Sequence, residues 1–134
     1  MEVTNTGDGV LLVQRLREGP LSSVHFRFGD GSMTLCMAQL PDTDFMRLAS
    51  VSVDVRFVLG EAGWGKHRAP DAFNRDLGLV NYLMKIDPDM YEMLGTVPTA
   101  KVIIHDYPPI EFDLVPAWPI LIGAMVEASK LVTQ

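Results

Sequence analysis

From Val51 to Leu59 the apolar side chains fall on alternate residues, Val51, Val53, Val55, Phe57 and Leu59, with Ser52, Asp54, Arg56 and Val58 between them. A repeat of two places one set on one face of an extended chain and the other set on the opposite face, which no helix does. The segment Ser50–Leu59 is therefore expected to be a strand with one dry and one wet face, the pattern of an antiparallel sheet. Ser23 to Phe28 repeats it, with Val24, Phe26 and Phe28 inward and His25 and Arg27 outward. Gly29-Asp30-Gly31-Ser32 follows, and Asp-Gly tolerates the positive φ angles of tight turns, so a hairpin returning through Met33–Leu40 is expected.

The same reasoning marks a strand at Val10–Arg17 with a turn at Glu18-Gly19-Pro20, and a later hairpin. In the latter, the β-branched run Ala100–His105 turns at Asp106-Tyr107-Pro108-Pro109 into Ile110–Val115. Met1 to Gly9 carries no period and reads as a loosely ordered lead-in. Helical spacing appears in three places. Asp42 or Thr43 is placed to cap a short turn through Phe45, Met46 and Leu48. Asp71 stands before Phe73, Leu77, Val80 and Met84, which predicts a helix over 72–86. Asp87-Pro88 then starts a second helix that runs to Leu94 and closes at Gly95. These two form a helix-turn-helix outline, but Asp87, Asp89 and Glu92 leave it no basic reading face. A closing helix, Ile120–Val132, follows Pro116 and Pro119. The expected architecture is α+β: an antiparallel or mixed sheet of about six strands packed on two to three helices, in a single two-layer domain.

A chain of 134 residues with 48% apolar and 21% charged residues can bury a core without a disulfide or metal. Its formal charge of −6 opposes binding to nucleic acid, whose affinity comes from Lys and Arg displacing counterions. No apolar run approaches the ~20 residues a membrane helix needs, and no basic-then-apolar signal opens the chain, so no membrane and a cytoplasmic setting are expected. Cys36, the single cysteine, lies in the apolar run Met33–Ala38 and reads as a packed thiol.

One stretch breaks the alternation. Gly60-Glu61-Ala62-Gly63-Trp64-Gly65-Lys66-His67-Arg68-Ala69-Pro70-Asp71 holds three glycines and three consecutive basic residues, and Gly60 to Lys66 has the spacing G-x-x-x-x-G-K of a phosphate loop. The chemistry of that loop needs a Ser or Thr after the Lys to hold magnesium and a helix starting at once, within a parallel sheet. Here His67 takes the hydroxyl position and the surroundings are hairpins. The stretch reads instead as a long loop, either a mobile connection or one whose Trp64, Lys66, His67 and Arg68 contact a partner or an anionic ligand.

His25, His67 and His105 have no metal-binding spacing to one another or to Cys36, so no metal and no cofactor are expected. His105-Asp106 would point to opposite faces of a strand, and a Cys36/His25 pair depends on a register the sequence does not give. No catalytic group can be chosen. A mean hydropathy of +0.16 and a closing helix apolar on nearly every side suggest that a second subunit covers Trp118, Ile122, Met125 and Val126. The reading is a small acidic non-enzymatic binding, regulatory or adaptor protein acting as a homodimer. The alternative is a small-molecule binder or enzyme with an apolar pocket between sheet and helices, gated by the 60–71 loop and taking an apolar or anionic ligand.

Overall fold

The computed structural model describes residues 1–16 and 19–132, so part of the predicted turn at Glu18 lies outside them. The α+β class and the antiparallel pairing are as expected. Among the described residues the strands number ten, however, in two sheets rather than about six in one. Strands β1 (Glu2–Asn5), β2 (Gly9–Arg15), β3 (Leu21–Arg27), β4 (Ser32–Ala38), β7 (Ala72–Asn74) and β8 (Leu79–Lys85) build the larger sheet, ordered β1-β2-β3-β4-β8-β7. The smaller sheet is ordered β10-β9-β5-β6, from β5 (Val53–Leu59), β6 (Ala62–Arg68), β9 (Thr99–Ile104) and β10 (Ile110–Asp113). Helices α1 (Asp42–Ala49), α2 (Pro88–Leu94) and α3 (Trp118–Val132) complete the fold.

One core joins the two sheets, as the alternation dictates. Val24, Phe26 and Phe28 of the first hairpin and Val53, Val55, Phe57 and Leu59 of β5 are all buried in it. The Phe26 and Phe57 rings meet edge-on with centroids 5.9 Å apart, one from each sheet. Burying side chains of this kind contributes about 1.5–3 kcal/mol each. Val51 is excluded: the strand begins at Val53 and Val51 is 47% exposed.

Several expectations are overturned. The lead-in is partly a strand, since Glu2–Asn5 pairs with Val10–Val13. Its side chains are mostly exposed, so no alternation marked it. The helix over 72–86 does not form, and with it goes the helix-turn-helix outline. Val80, Tyr82 and Met84 are two apart and pair with Met37, Leu35 and Met33 of β4. The spacing 73, 77, 80, 84 is compatible with a helix, but the adjacent β4 offers a ladder, and Gly78 turns the chain at φ +57°. A Cβ there would lie 2.6 Å from the Leu40 carbonyl oxygen, so only glycine fits. Asp71 caps no helix; its carboxylate accepts the Leu83 N–H at 2.7 Å.

Smaller corrections follow the same logic. Pro41 rather than Asp42 or Thr43 occupies the cap position of α1, without a side-chain hydrogen bond, and Asp42 pairs with Arg75 instead. β10 ends at Asp113, whose carboxylate accepts the Val115 N–H and starts a single 3-10 turn over Val115–Ala117. α3 then begins at Trp118, with Pro119 in its first turn, and packs against β2 and α2. The helix α2 is as predicted: Asp87 accepts the Met90 N–H at 3.1 Å and Gly95 ends it.

Candidate functional site

The stretch 60–71 is a hairpin and not a loop. Gly60 and Glu61 make a two-residue turn, Gly60 at φ +58°, and β6 runs back along β5 in the register Leu59↔Ala62 to Val53↔Arg68. Glycine in the first turn position supplies that positive φ without strain. Residues directly opposite in an antiparallel pair share a face. Phe57, Val55 and Val53 face the core, so their partners Trp64, Lys66 and Arg68 face inward too. His67 pairs with Asp54 and lies on the outer face, where its Nδ1 meets the Asp54 carboxylate at 2.9 Å. The four residues singled out from the sequence are thus split, three inward and one outward.

Trp64, Lys66 and Arg68 line a cleft of about 1120 Å³ between β6, the end of β8, the β3–β4 turn and α2. Met84, Ile86 and Met90 supply its apolar side, with Gly31, Asp30, Lys85 and Asp87 around it. Arg68 is committed to the fold. Its Nη1 donates to the Leu83 carbonyl and its Nη2 to Asp71 at 2.5 Å, while the same Asp71 carboxylate accepts the Leu83 N–H. This bracket ties the end of β6 to the edge of β8, and the space opens from there toward Trp64. Lys66 has no hydrogen bond or ion pair among the described residues, and it is exposed. Trp64 is half-buried, its inner part packed on the core.

Each acidic group at the cleft has a structural task. Asp71 holds Arg68 and Leu83, and Asp87 caps α2. Asp30 accepts the hydroxyl and N–H of Ser32 and pairs with Arg27 at 3.2 Å. The Ser32 hydroxyl, above all, holds the Asp30 carboxyl below its usual range. Among the described residues no histidine or cysteine lines the cleft.

The remaining candidates lie apart. His25 contacts the Thr6 hydroxyl at 3.1 Å and Asp8 at 3.7 Å on the outer face of the larger sheet. Cys36 is on that same face, but opposite Ser23, whereas His25 is opposite Thr34. The two are diagonal neighbours rather than a pair, and burial pushes the Cys36 thiol up, away from the thiolate a nucleophile needs. His105 sits at φ +51° in the β9–β10 turn with Asp106 at 3.7 Å. Among the described residues no three His, Cys, Asp or Glu side chains gather as metal ligands.

On α3, Ile122 and Val126 are 46% and 48% exposed. Trp118 and Met125 instead pack on the core, and the Trp118 indole N–H donates to the Val97 carbonyl at 3.3 Å. The proposed subunit-covered stripe is therefore half used within the chain; the side chains of Leu131 and Val132 lie outside the described residues. Met90 lies on α2, which forms where expected, and no sequence pattern ties it to the cleft; Met84 and Ile86 are hidden by the helix expected over 72–86. The two-residue repeat Val80, Tyr82, Met84 just after Gly78 is the signal that identifies them. None of the described helices is long and apolar enough to cross a membrane. Comparison of the chain with protein-family models, with curated proteins and with solved structures gives no match.

Proposed function

We propose that this chain is a non-enzymatic binding protein whose cleft takes a small molecule with an apolar body and an anionic group. The observation that carries this is the arrangement of the inner face of β6: a half-buried Trp64 beside a Lys66 without a counter-ion, opposite Met84, Ile86 and Met90. Ligand sites are concave, mostly apolar and marked by a few polar groups, and this cleft has that composition. Binding rather than catalysis is favoured because its carboxylates are occupied in the fold and, among the described residues, no histidine or cysteine lines it. The gating loop of the earlier expectation is replaced by a strand, so ligand entry needs no lid.

The test is the quenching of tryptophan fluorescence by decanoate and by indole-3-acetate, with decanol as the uncharged control. Saturable quenching by the acids, lost in Trp64→Phe and weakened about tenfold in Lys66→Ala, is the expected result; one charge-assisted contact is worth roughly that factor. No saturation by either acid at millimolar concentration refutes the proposal. A second reading, self-association through α3, rests on Ile122 and Val126, exposed one helical turn apart.

A further inference from the structure

We infer that β6 is a pairing edge for a second copy of this chain, joining two four-stranded sheets into one of eight, and that the partner's Lys66 completes the cleft at Trp64. The inference does not depend on what the cleft binds.

Of the four sheet edges among the described residues, three are short: β1 has four residues, β7 three and β10 four. Short edges are one of the ways natural sheets avoid unwanted pairing. β6 has seven residues and no strand beyond it. Its free backbone groups can be assigned. The His105 N–H donates to the Asp54 carbonyl, so Asp54, and with it Arg56 and Val58, direct their backbone groups toward β9. Val53, Val55, Phe57 and Leu59 direct theirs toward β6, where they meet Arg68, Lys66, Trp64 and Ala62. The backbone groups left facing the open edge belong to Gly63, Gly65 and His67, two of which have no side chain to shield them.

An antiparallel two-fold pairing centred on Gly65 uses the whole strand. Gly65 meets Gly65 of the partner subunit, Gly63 meets His67 of the partner subunit, and Trp64 meets Lys66 of the partner subunit on the cleft side. That last pair is not hydrogen-bonded, the kind in which side chains approach most closely. A lysine on an edge strand ordinarily deters pairing. In this register it lies across from an aromatic ring, where a cation is attracted, and the contact occurs twice. Shifting the axis to Lys66 opposes two lysines, and shifting it to Trp64 leaves part of the strand unpaired.

Light scattering coupled to size exclusion on the full chain tests this. The wild-type mass is expected at twice 14.8 kDa and that of Gly63→Pro at 14.8 kDa. Gly63 is not at positive φ and its N–H faces outward, a position where an edge strand accepts proline. Circular dichroism establishes that the variant is folded; should it not be, His67→Pro blocks the same edge from its other end. Ile122→Glu is expected to stay dimeric. A wild-type monomer at high micromolar concentration overturns the inference. So does a dimer that survives both proline substitutions but dissociates in Ile122→Glu, which would assign the interface to α3. The quenching experiment above is read on the wild-type chain, whatever its mass, so failure of one proposal leaves the other standing or falling by itself.

Discussion

The β3–β4 and β5–β6 hairpins have strands of equal length and treat their second strands differently. In β3–β4 both strands are interior to a sheet, and the return strand alternates strictly, Met33, Leu35 and Met37 buried against half-exposed Ser32, Thr34, Cys36 and Ala38. In β5–β6 the outgoing strand alternates as strictly, yet the return strand reads Ala-Gly-Trp-Gly-Lys-His-Arg and none of it is fully buried. The pairing is the same; the surroundings are not. A strand alternates in hydropathy only where one face meets a core and the other meets water. The inner face of β6 overhangs a cleft, so it is free to carry Lys66 and Arg68, and its composition reports the cleft rather than the strand.

The sharpest way to break this contrast compares two residues on one rung. Phe57 is fully buried and Trp64 lies directly across from it. Phe57→Ala is expected to cost about 3–5 kcal/mol, the cost of truncating a buried aromatic. Trp64→Ala should cost under about 2 kcal/mol, because part of the ring is already in water. Urea unfolding of both variants reads the difference. Equal losses would mean that β6 is a core strand and that the cleft is of no consequence.

A second contrast lies within β6 itself. A Cβ on Gly65 would stand 2.8 Å from the Val55 carbonyl oxygen and 2.7 Å from the Arg56 Cγ. On Gly63 it would meet only side-chain atoms of Arg56 and Val58 and the Phe57 carbonyl oxygen, at 3.6 Å or more. Gly65→Ala is expected to destabilise by about 1–3 kcal/mol, the range for forced overpacking. Gly63→Ala should stay within about 0.5 kcal/mol, as a substitution without a structural penalty does. The same unfolding measurement checks both. A tolerated Gly65→Ala would show that β6 shifts away from β5 easily, and would remove the fixed register on which the pairing edge rests.

What the sequence disclosed follows the same physics. The first hairpin, β5, the β9–β10 pair and α2 were legible because each places apolar side chains in a core at a regular period or carries its own cap at Asp87. β1 and β6 were not, because exposed or cleft-facing side chains impose no period. β8 was misassigned for a different reason. Phe73, Leu77, Val80 and Met84 satisfy helical spacing, while Val80, Tyr82 and Met84 satisfy strand spacing, and the neighbour β4 decided between them. Of the site, Trp64, Lys66 and Arg68 were visible as residue types. That Arg68 is bound by Asp71 and Leu83, and that His67 turns to the outer face, required the pairing register.

Tyr82 stands on β8 two residues before Met84, which lines the cleft, and it offers a test on the closed side. It is fully buried on the inner face of β8, opposite Leu35, and its hydroxyl has no hydrogen-bond partner among the described residues. Burial, chiefly, pushes its pKa to about 12 from an ordinary 10.0. A group whose pKa is raised on folding holds its proton more tightly in the folded state. Its contribution is therefore fully present below pH 10 and is lost as the pH climbs to about 12, where the unfolded chain ionises first. Tyr107, half-buried near Asp44 and Arg47 and also raised to about 12, chiefly by the burial it has, adds to the same fall. Tyr82→Phe should shrink the alkaline loss without abolishing it. At neutral pH it should raise stability by up to about 1 kcal/mol, since it removes a hydroxyl that burial has stripped of water. Thermal unfolding followed from pH 8 to 12 measures both. A loss at neutral pH would show that the hydroxyl is hydrogen-bonded to a water reaching in from the cleft, and would place the boundary between the two regions one strand further into the closed side.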